Sequence, residues 1–192
     1  MSGLALFGGT FDPVHNAHLR IAEAAADRCG LERVLFIPSG RPPHRAEGTF
    51  ADYEDRFAMV QLACQCDPRF EPSRLEAGER KSYSIHTIQK VLAEYRSPIY
   101  FLIGADAFAE IETWYEWQSV LAAVTFIVVS RPGAEYRVPA SARVVRLEEV
   151  RLAISSSQIR RSLALGTPGL PVPAPVAAYI DSHGLYRSQK PN

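Results

Sequence analysis

The sequence has no excess of charge of either sign, because 21 Lys and Arg residues balance 21 Asp and Glu residues in a chain of 192. A balanced chain has no overall field to attract a nucleic-acid backbone, so nucleic acid is not an expected partner. No apolar run approaches the roughly 18 residues of a membrane-spanning helix, and the first residues lack the basic segment of a secretory leader. We therefore expect a cytoplasmic protein that binds neither membranes nor nucleic acid.

Cysteines are also few, and the three are Cys29, Cys64 and Cys66. An odd number of cysteines does not indicate a disulfide framework. Cys64 and Cys66 could supply half of a metal site, but no second Cys or His pair lies nearby at ligand spacing. The surrounding helical periodicity favours free thiols packed on a helix, and we predict no metal held by protein side chains alone.

Short apolar runs alternate along the chain with segments of helical periodicity. The predicted strands cover residues 4–7, 34–37, 70–75, 99–103, 124–129 and 143–147. The predicted helices cover residues 17–29, 52–66, 84–95, 156–165 and 175–183. Such alternation is typical of right-handed crossovers and a parallel sheet. The expected fold is α/β: a Rossmann-like, doubly wound parallel sheet of five to six strands, with helices on both faces.

Two details of this organisation can be tested directly. We expect residues 1–192 to form one domain, with a small C-terminal helical portion at about 151–187. Gly30 is expected to end the first helix, and Ser82 or Ser84 to cap the third.

Polar or glycine-rich stretches follow four of the predicted strands. They read GGTFDPVH after the first strand, PSGRPPHR after the second, GAD after the fourth and SRPG after the fifth. Ligands of a doubly wound sheet bind at the carboxyl ends of the strands, where the strand order reverses. The sequence therefore predicts one site at this edge of the sheet.

The first of these stretches matches neither the dinucleotide-binding fingerprint nor the P-loop. Gly8 and Gly9 still allow a ligand close to the backbone, and Thr10 offers a hydroxyl and an N–H. His15 and His18 follow, and they share a face if both lie in the first turn of the helix. Imidazoles beside a helix N-terminus favour bound phosphate. The alternative is a pair of structural histidines that cap the helix.

A second candidate for phosphate binding is the stretch ISSSQIRR at residues 154–161. Serines at a helix start leave backbone amides for an anion, and Arg160 lies one turn further on. Taken alone, the stretch is equally typical of a well-capped amphipathic helix.

The two motifs together resemble those of the nucleotidylyltransferase superfamily, whose signatures are HxGH after the first strand and a later ISSTxIR. Within that superfamily the chain is similar to the bacterial nicotinate-nucleotide adenylyltransferases over nearly its whole length. The further matching stretches are IPSGRPPHR, the Arg56-x-x-Met59 helix, SYSIHT, LIGADAF, TWYEW, VVSRPG and YIDSHGLYR.

The resemblance implies adenylyl transfer from ATP to nicotinate mononucleotide, by direct in-line attack on the α-phosphate, within NAD biosynthesis. His15, His18 and Arg160 would act in catalysis. ATP would also contact Gly8, Gly9, Thr10, Phe11, Ser157, His44 and Arg45. The mononucleotide would contact Ser39, Ser84, Asp106, Trp114, Tyr115 and Arg131. Mg²⁺ would be held by the ATP phosphates.

Two positions depart from the family motifs, since Ala17 stands where the family has Gly, and Ser157 where it has Thr. Three alternatives remain open: nicotinamide mononucleotide as acceptor, another acceptor such as phosphopantetheine, and a nucleotide sensor without catalysis. A homo-oligomer is also left open.

Overall fold

Six parallel strands form one sheet in the computed structural model, which describes residues 3–40, 49–78, 82–130, 135–148 and 154–187. The strands are β1 (Gly3–Gly9), β2 (Leu31–Pro38), β3 (Phe70–Pro72), β4 (Ile99–Gly104), β5 (Thr125–Val129) and β6 (Arg143–Leu147). Their order is β3-β2-β1-β4-β5-β6, and every neighbouring pair is parallel. The order reverses between β1 and β4, which opens a crevice at the carboxyl ends of these two strands.

Helices cover both faces of this sheet. They are α1 (Asn16–Cys29), α2 (Tyr53–Cys64), α3 (Ser84–Glu94), α4 (Ala105–Ala109), α5 (Trp117–Ala123), α6 (Ser156–Ala164) and α7 (Ala174–Ser182), with a 3₁₀ turn at Ile111–Thr113. None of the helices in the described ranges has both the length and the hydropathy needed to cross a bilayer.

Strand β1 shows why both faces are buried. Ala5 and Phe7 point into one apolar cluster, which takes in residues of α1, α2, α6 and α7. Leu4 and Leu6 point into a second cluster, which includes residues of α3 and α5. Side chains alternate across a strand, so a strand buried on both faces is continuously apolar. The predicted α/β fold, with a doubly wound parallel sheet, is confirmed.

Some element boundaries differ from the predictions. Gly30 ends α1 with φ of +60°, as expected. Asp52 caps α2 by accepting the Asp55 N–H, so it precedes that helix instead of belonging to it. Tyr83 occupies the N-cap of α3 and provides no side-chain hydrogen bond, so the prediction of a serine cap is wrong. Helices α4 and α5 were not predicted, because segments of 5 and 7 residues are too short to show a helical period.

Candidate active site

The loop between β1 and α1, residues 10–15, is held from outside by side chains of α2 and α6. Thr10 C=O accepts a hydrogen bond from Arg56 Nη1 at 2.8 Å. Asp12 C=O accepts one from Arg160 Nη1, and Pro13 C=O accepts one from Ser156 Oγ at 3.0 Å. Backbone carbonyls of an irregular loop need partners when water is excluded. These three bonds fix the conformation of the loop.

The carboxylate of Asp12 is completely buried, with 0% exposure. It accepts hydrogen bonds from the backbone N–H groups of Phe50 at 2.8 Å and Ala51 at 3.1 Å, and from the Tyr186 hydroxyl at 2.8 Å. Burial and the neighbouring Asp12 carboxylate raise the pKa of Tyr186, which keeps its hydroxyl protonated as a donor.

Arg56 is 1% exposed and provides the positive charge for this buried cluster. Burial lowers the pKa of Arg56, and the charge of Asp12 acts in the opposite direction. A buried carboxylate is costly unless it is hydrogen-bonded and compensated, and the Asp12 side chain has both kinds of partner.

His15 and His18 form a stacked pair at the start of α1. Their ring centroids are 3.7 Å apart, and the His15 N–H donates to His18 Nδ1 at 3.2 Å. Because Nδ1 accepts this bond, the neutral His18 ring carries its proton on Nε2. Burial lowers the pKa of His15 to about 4. Burial, followed by the neighbouring His15, also holds the pKa of His18 well below its usual range. Both rings are therefore neutral at pH 7.

The local position of the pair agrees with both interpretations of the sequence. His15 is the N-cap residue of α1, as the capping alternative expects. Its side chain faces the backbone N–H of His18 in a capping box, but the buried Nδ1 atom has no hydrogen bond of full geometry among the described residues. A buried polar atom without a partner is unusual in a purely structural role, so the pair can serve both the helix and a ligand.

The ring of Phe11 packs against the ring of His18. Its ring is 2% exposed and lies edge-on to His18, with centroids 5.0 Å apart. Its backbone has φ of +49°, which turns the ring inward to pack on Phe7. The ring of Phe11 is therefore part of the apolar packing, and only its backbone is left for the contact that the sequence predicts.

Helix α6 begins with the serines that the sequence singled out. Ser155 is its N-cap and forms a capping box with Gln158. Arg160 donates to Ser157 Oγ at 3.3 Å, and its guanidinium lies 4.2 Å from the centroid of the Phe50 ring. Since Arg160 also contacts Asp12, the two sequence motifs meet across 148 residues of chain.

A cavity of about 610 Å³ opens beside this loop, at the carboxyl ends of β1 and β4. Seven of the predicted ligand contacts line it: Gly8, Gly9, Thr10, Ser39, Ser84, Trp114 and Tyr115. Trp114 is half-buried and lies edge-on to Phe101, with centroids 6.0 Å apart. Tyr115 is 53% exposed. Asp106 does not line the cavity but is exposed in the first turn of α4, next to the lining residue Ala107.

Three predicted contacts, His44, Arg45 and Arg131, lie outside the described residues. In the part of the chain that is described, no three His, Cys, Asp or Glu side chains are grouped to hold a metal ion. The prediction of free thiols is confirmed for Cys29, Cys64 and Cys66, and burial raises the pKa of the Cys64 thiol to about 12.

The sequence predictions assigned no functional role to four contributors to the site: Asp12, Arg56, Tyr186 and Glu76. Glu76 is buried, lines the cavity and accepts a hydrogen bond from the Thr87 hydroxyl at 2.8 Å. For Arg56 a signal exists, since it recurs at helical spacing with the buried residues Met59, Val60 and Ala63. A charged residue on the apolar face of a helix indicates a buried partner. Asp12 and Tyr186 lie in the stretches GGTFDPVH and YIDSHGLYR that the sequence analysis singled out, but no spacing pattern marks either side chain as buried.

Comparison with known proteins assigns the chain to a family. Residues 6–162 match the model of the cytidylyltransferase-like family. A curated relative from Solibacter usitatus, named probable nicotinate-nucleotide adenylyltransferase, is 54% identical over 187 residues that cover 95% of this chain and 98% of the relative. The chain belongs to the nicotinate-nucleotide adenylyltransferase family. A second family member, from Roseiflexus sp., is 40% identical and covers 96% of this chain and 98% of its own length.

A solved structure extends the likeness to the fold. It is the nicotinic acid mononucleotide adenylyltransferase of Plasmodium falciparum complexed with NaAD, with a TM-score of 0.78 over 98% of this chain and 99% of that chain. Its identity to the present chain is 16%, so it supports the fold alone. The family resemblance stated from the sequence motifs is confirmed by the whole-length relatives.

Proposed function

We propose that the protein transfers the adenylyl group of ATP to nicotinate mononucleotide, giving nicotinate adenine dinucleotide and pyrophosphate. The observation that carries the proposal is that two half-sites, the cavity and the cluster of His15, His18 and Arg160, are joined by the loop that follows β1. Gly8, Gly9 and Thr10 line the cavity, and the same loop leads directly to the stacked histidines and to Arg160. An acceptor in the cavity and a triphosphate at the histidines would thus meet at this loop.

The phosphate half-site, formed by His15, His18, Ser157 and Arg160, would work by positioning the phosphates and stabilising their charge. The 5′-phosphate of the acceptor attacks the α-phosphorus of ATP in line, and pyrophosphate leaves from the opposite side. His18 Nε2–H donates to the charge that develops on the α-phosphate, and His15 contacts the same phosphates. Ser157 and Arg160 hold the leaving pyrophosphate, and His44 and Arg45, outside the described residues, are proposed to contact ATP as well. Transfer of this kind needs no protein nucleophile.

The lowered pKa values of the histidine pair suit this role. An imidazole that is neutral before ATP arrives costs little to bury. The negative charge of bound phosphate raises the pKa of a neighbouring imidazole. The imidazole therefore stabilises the charge on the phosphate more strongly once the substrate is bound.

The metal enters as part of the substrate, MgATP. Asp12 is the carboxylate of the β1–α1 loop, and both of its oxygens already accept hydrogen bonds from the protein. Mg²⁺ usually keeps several waters and binds substrate phosphates in preference to an all-protein cage. A metal carried by the ATP oxygens and water fits the residues around this loop.

The acceptor half-site would bind the pyridine nucleotide in the cavity. Trp114 stacks on the pyridine ring, and the Tyr115 amide meets its carboxylate. Helix α3 starts at Ser84 without a side-chain cap, so its N-terminus favours an anion. That feature favours the acid over the amide. Ser39 would contact the bound nucleotide, Asp106 the ribose hydroxyls, and Arg131, outside the described residues, the 5′-phosphate.

Product analysis with separate acceptors tests the proposal. The protein is incubated with MgATP and nicotinate mononucleotide, nicotinamide mononucleotide or phosphopantetheine, and the dinucleotide and pyrophosphate are quantified. We expect equal amounts of nicotinate adenine dinucleotide and pyrophosphate, with the highest kcat/KM for the acid. Faster turnover of either other acceptor would assign a different substrate, and ATP binding without pyrophosphate release would indicate a sensor.

A further inference from the structure

Within the described residues, four hydrogen bonds join the C-terminal part of the chain to the β1–α1 loop and the start of α1. Two are the bonds from α6, Ser156 to Pro13 and Arg160 to Asp12. The third is the Asn16 N–H, which donates to Pro171 C=O at 3.0 Å. The fourth is the Tyr186 hydroxyl on Asp12 Oδ1, formed by a residue that lies beyond α7.

Tyr186 is held in an unusual backbone conformation. Its φ is +62°, a region that residues with a Cβ rarely adopt. The turn leading to it is closed by the Leu185 N–H, which donates to Ile180 C=O at 3.0 Å. Conformations of this kind persist when the surroundings determine them, and they point to a function for the side chain. The side chain in this case reaches Asp12 in the β1–α1 loop.

We propose that Tyr186 is a positioning residue for adenylyl transfer, because its hydroxyl fixes Asp12, whose backbone carbonyl holds Arg160. This inference rests on the function proposed above. Tyr186 does not touch the substrates and acts through the loop.

Burial makes the Tyr186 hydroxyl difficult to replace. Tyr186 is 8% exposed and Asp12 is 0% exposed, so water has little access to the bond. Without the hydroxyl, the 3.1 Å bond from the Ala51 N–H is the one that Asp12 Oδ1 keeps from a described residue. A buried carboxylate that loses a donor is expected to move toward its remaining ones. Such a movement would carry the Asp12 carbonyl with it and shift Arg160, while the cavity between β1 and β4 stays as it is.

Helix α7 itself provides a matched control. Tyr179 also donates its hydroxyl to a carboxylate, Asp55 Oδ1, at 2.9 Å. Asp55 lies in α2 and not in the β1–α1 loop. Tyr179→Phe therefore removes the same kind of hydrogen bond without affecting Asp12.

The experiment compares Tyr186→Phe with Tyr179→Phe in the full chain, after thermal unfolding shows both to be folded at the assay temperature. For Tyr186→Phe we expect kcat to fall about tenfold, which corresponds to about 1.4 kcal/mol. The KM for nicotinate mononucleotide should not change, and the KM for pyrophosphate in the reverse reaction should rise. Tyr179→Phe should keep kcat within twofold of wild type.

A further variant separates the lost donor from a general disturbance of the structure. 4-Aminophenylalanine at position 186 keeps an N–H donor at the same place, and we expect kcat within about threefold of wild type. Equal losses in the amino and Phe variants would overturn the inference, as would a folded Tyr186→Phe protein with wild-type kcat. If Tyr186→Phe does not fold, a kcat loss above tenfold in the amino variant overturns it. Failure of the proposed function is distinguishable, since the wild-type chain would then produce no dinucleotide.

Discussion

Replacement of His18 by Ala examines the phosphate half-site most closely. His18 Nδ1 is occupied by the His15 N–H, so its Nε2–H is the donor left for the α-phosphate. Phe11 and the stacked His15 hold the ring on two sides, which makes it a preorganised donor. Loss of one such donor typically lowers kcat by about 10²–10³, or roughly 2.7–4 kcal/mol.

The effect on folding should be much smaller. His18 is half-buried, and its removal deletes one hydrogen bond and some ring contacts, for which we expect about 1 kcal/mol of lost stability. Circular dichroism and thermal unfolding should therefore report a folded protein.

The assay is pyrophosphate release at saturating MgATP and nicotinate mononucleotide. His183→Ala serves as the control, because His183 is exposed at the end of α7 and its ring contacts Tyr179 and Ser182. We expect wild-type kcat for the control and a loss of about two to three orders of magnitude for His18→Ala. A kcat for His18→Ala within about threefold of wild type, a difference below 1 kcal/mol, would refute the role given to His18.

Three more predictions concern the same loop. Gly8→Ala should leave the free energy of unfolding unchanged or slightly increased, because an added Cβ at this position has no atom within 4 Å. It should nevertheless raise the KM for substrate about tenfold or more, because the new methyl group enters the space of the ligand. Calorimetry measures the first effect and steady-state kinetics the second. Ala17→Gly should change the KM for ATP only modestly, since Ala17 is 3% exposed, and loss of turnover would show that its methyl group is required. Stability should fall as the pH drops from about 6.5 to about 4, because the folded-state pKa of His15 is lowered to about 4 and the unfolded chain then binds more protons. Urea titrations should show wild type losing stability relative to His15→Asn over this pH range, and a difference between the two proteins that does not change with pH would contradict this.

The regular elements were accessible from the sequence because they are encoded locally. β1 is a short, continuously apolar run, and α1 has an apolar face and a glycine stop, so periodicity alone located both. The adjacency of His15 and His18 follows from helical spacing in the same way. Predicted strands that alternate with helices fixed the parallel sheet and hence the edge at which ligands bind.

The interactions that shape the loop were not accessible, because they join distant parts of the chain. Tyr186 and Asp12 are 174 residues apart, and Arg56 and Thr10 are 46 apart. No local pattern specifies such pairs, and the hydrogen-bonding needs of an irregular loop emerge only once its path is known. The predicted serine cap of α3 was wrong because serines are favoured at N-caps only on average, and in this chain Tyr83 occupies that position.

The stereochemistry at the α-phosphorus tests the central claim most directly, since the alternative for a site with two stacked histidines is transfer through an adenylylated imidazole. The reaction is run with nicotinate mononucleotide and ATP made chiral at the α-phosphorus by sulfur substitution, and the configuration of the dinucleotide product is determined by ³¹P NMR. Direct in-line transfer, assisted by His18 and Arg160 as charge stabilisers, predicts inversion. Retention would require a covalent adenylyl-enzyme and would contradict the account.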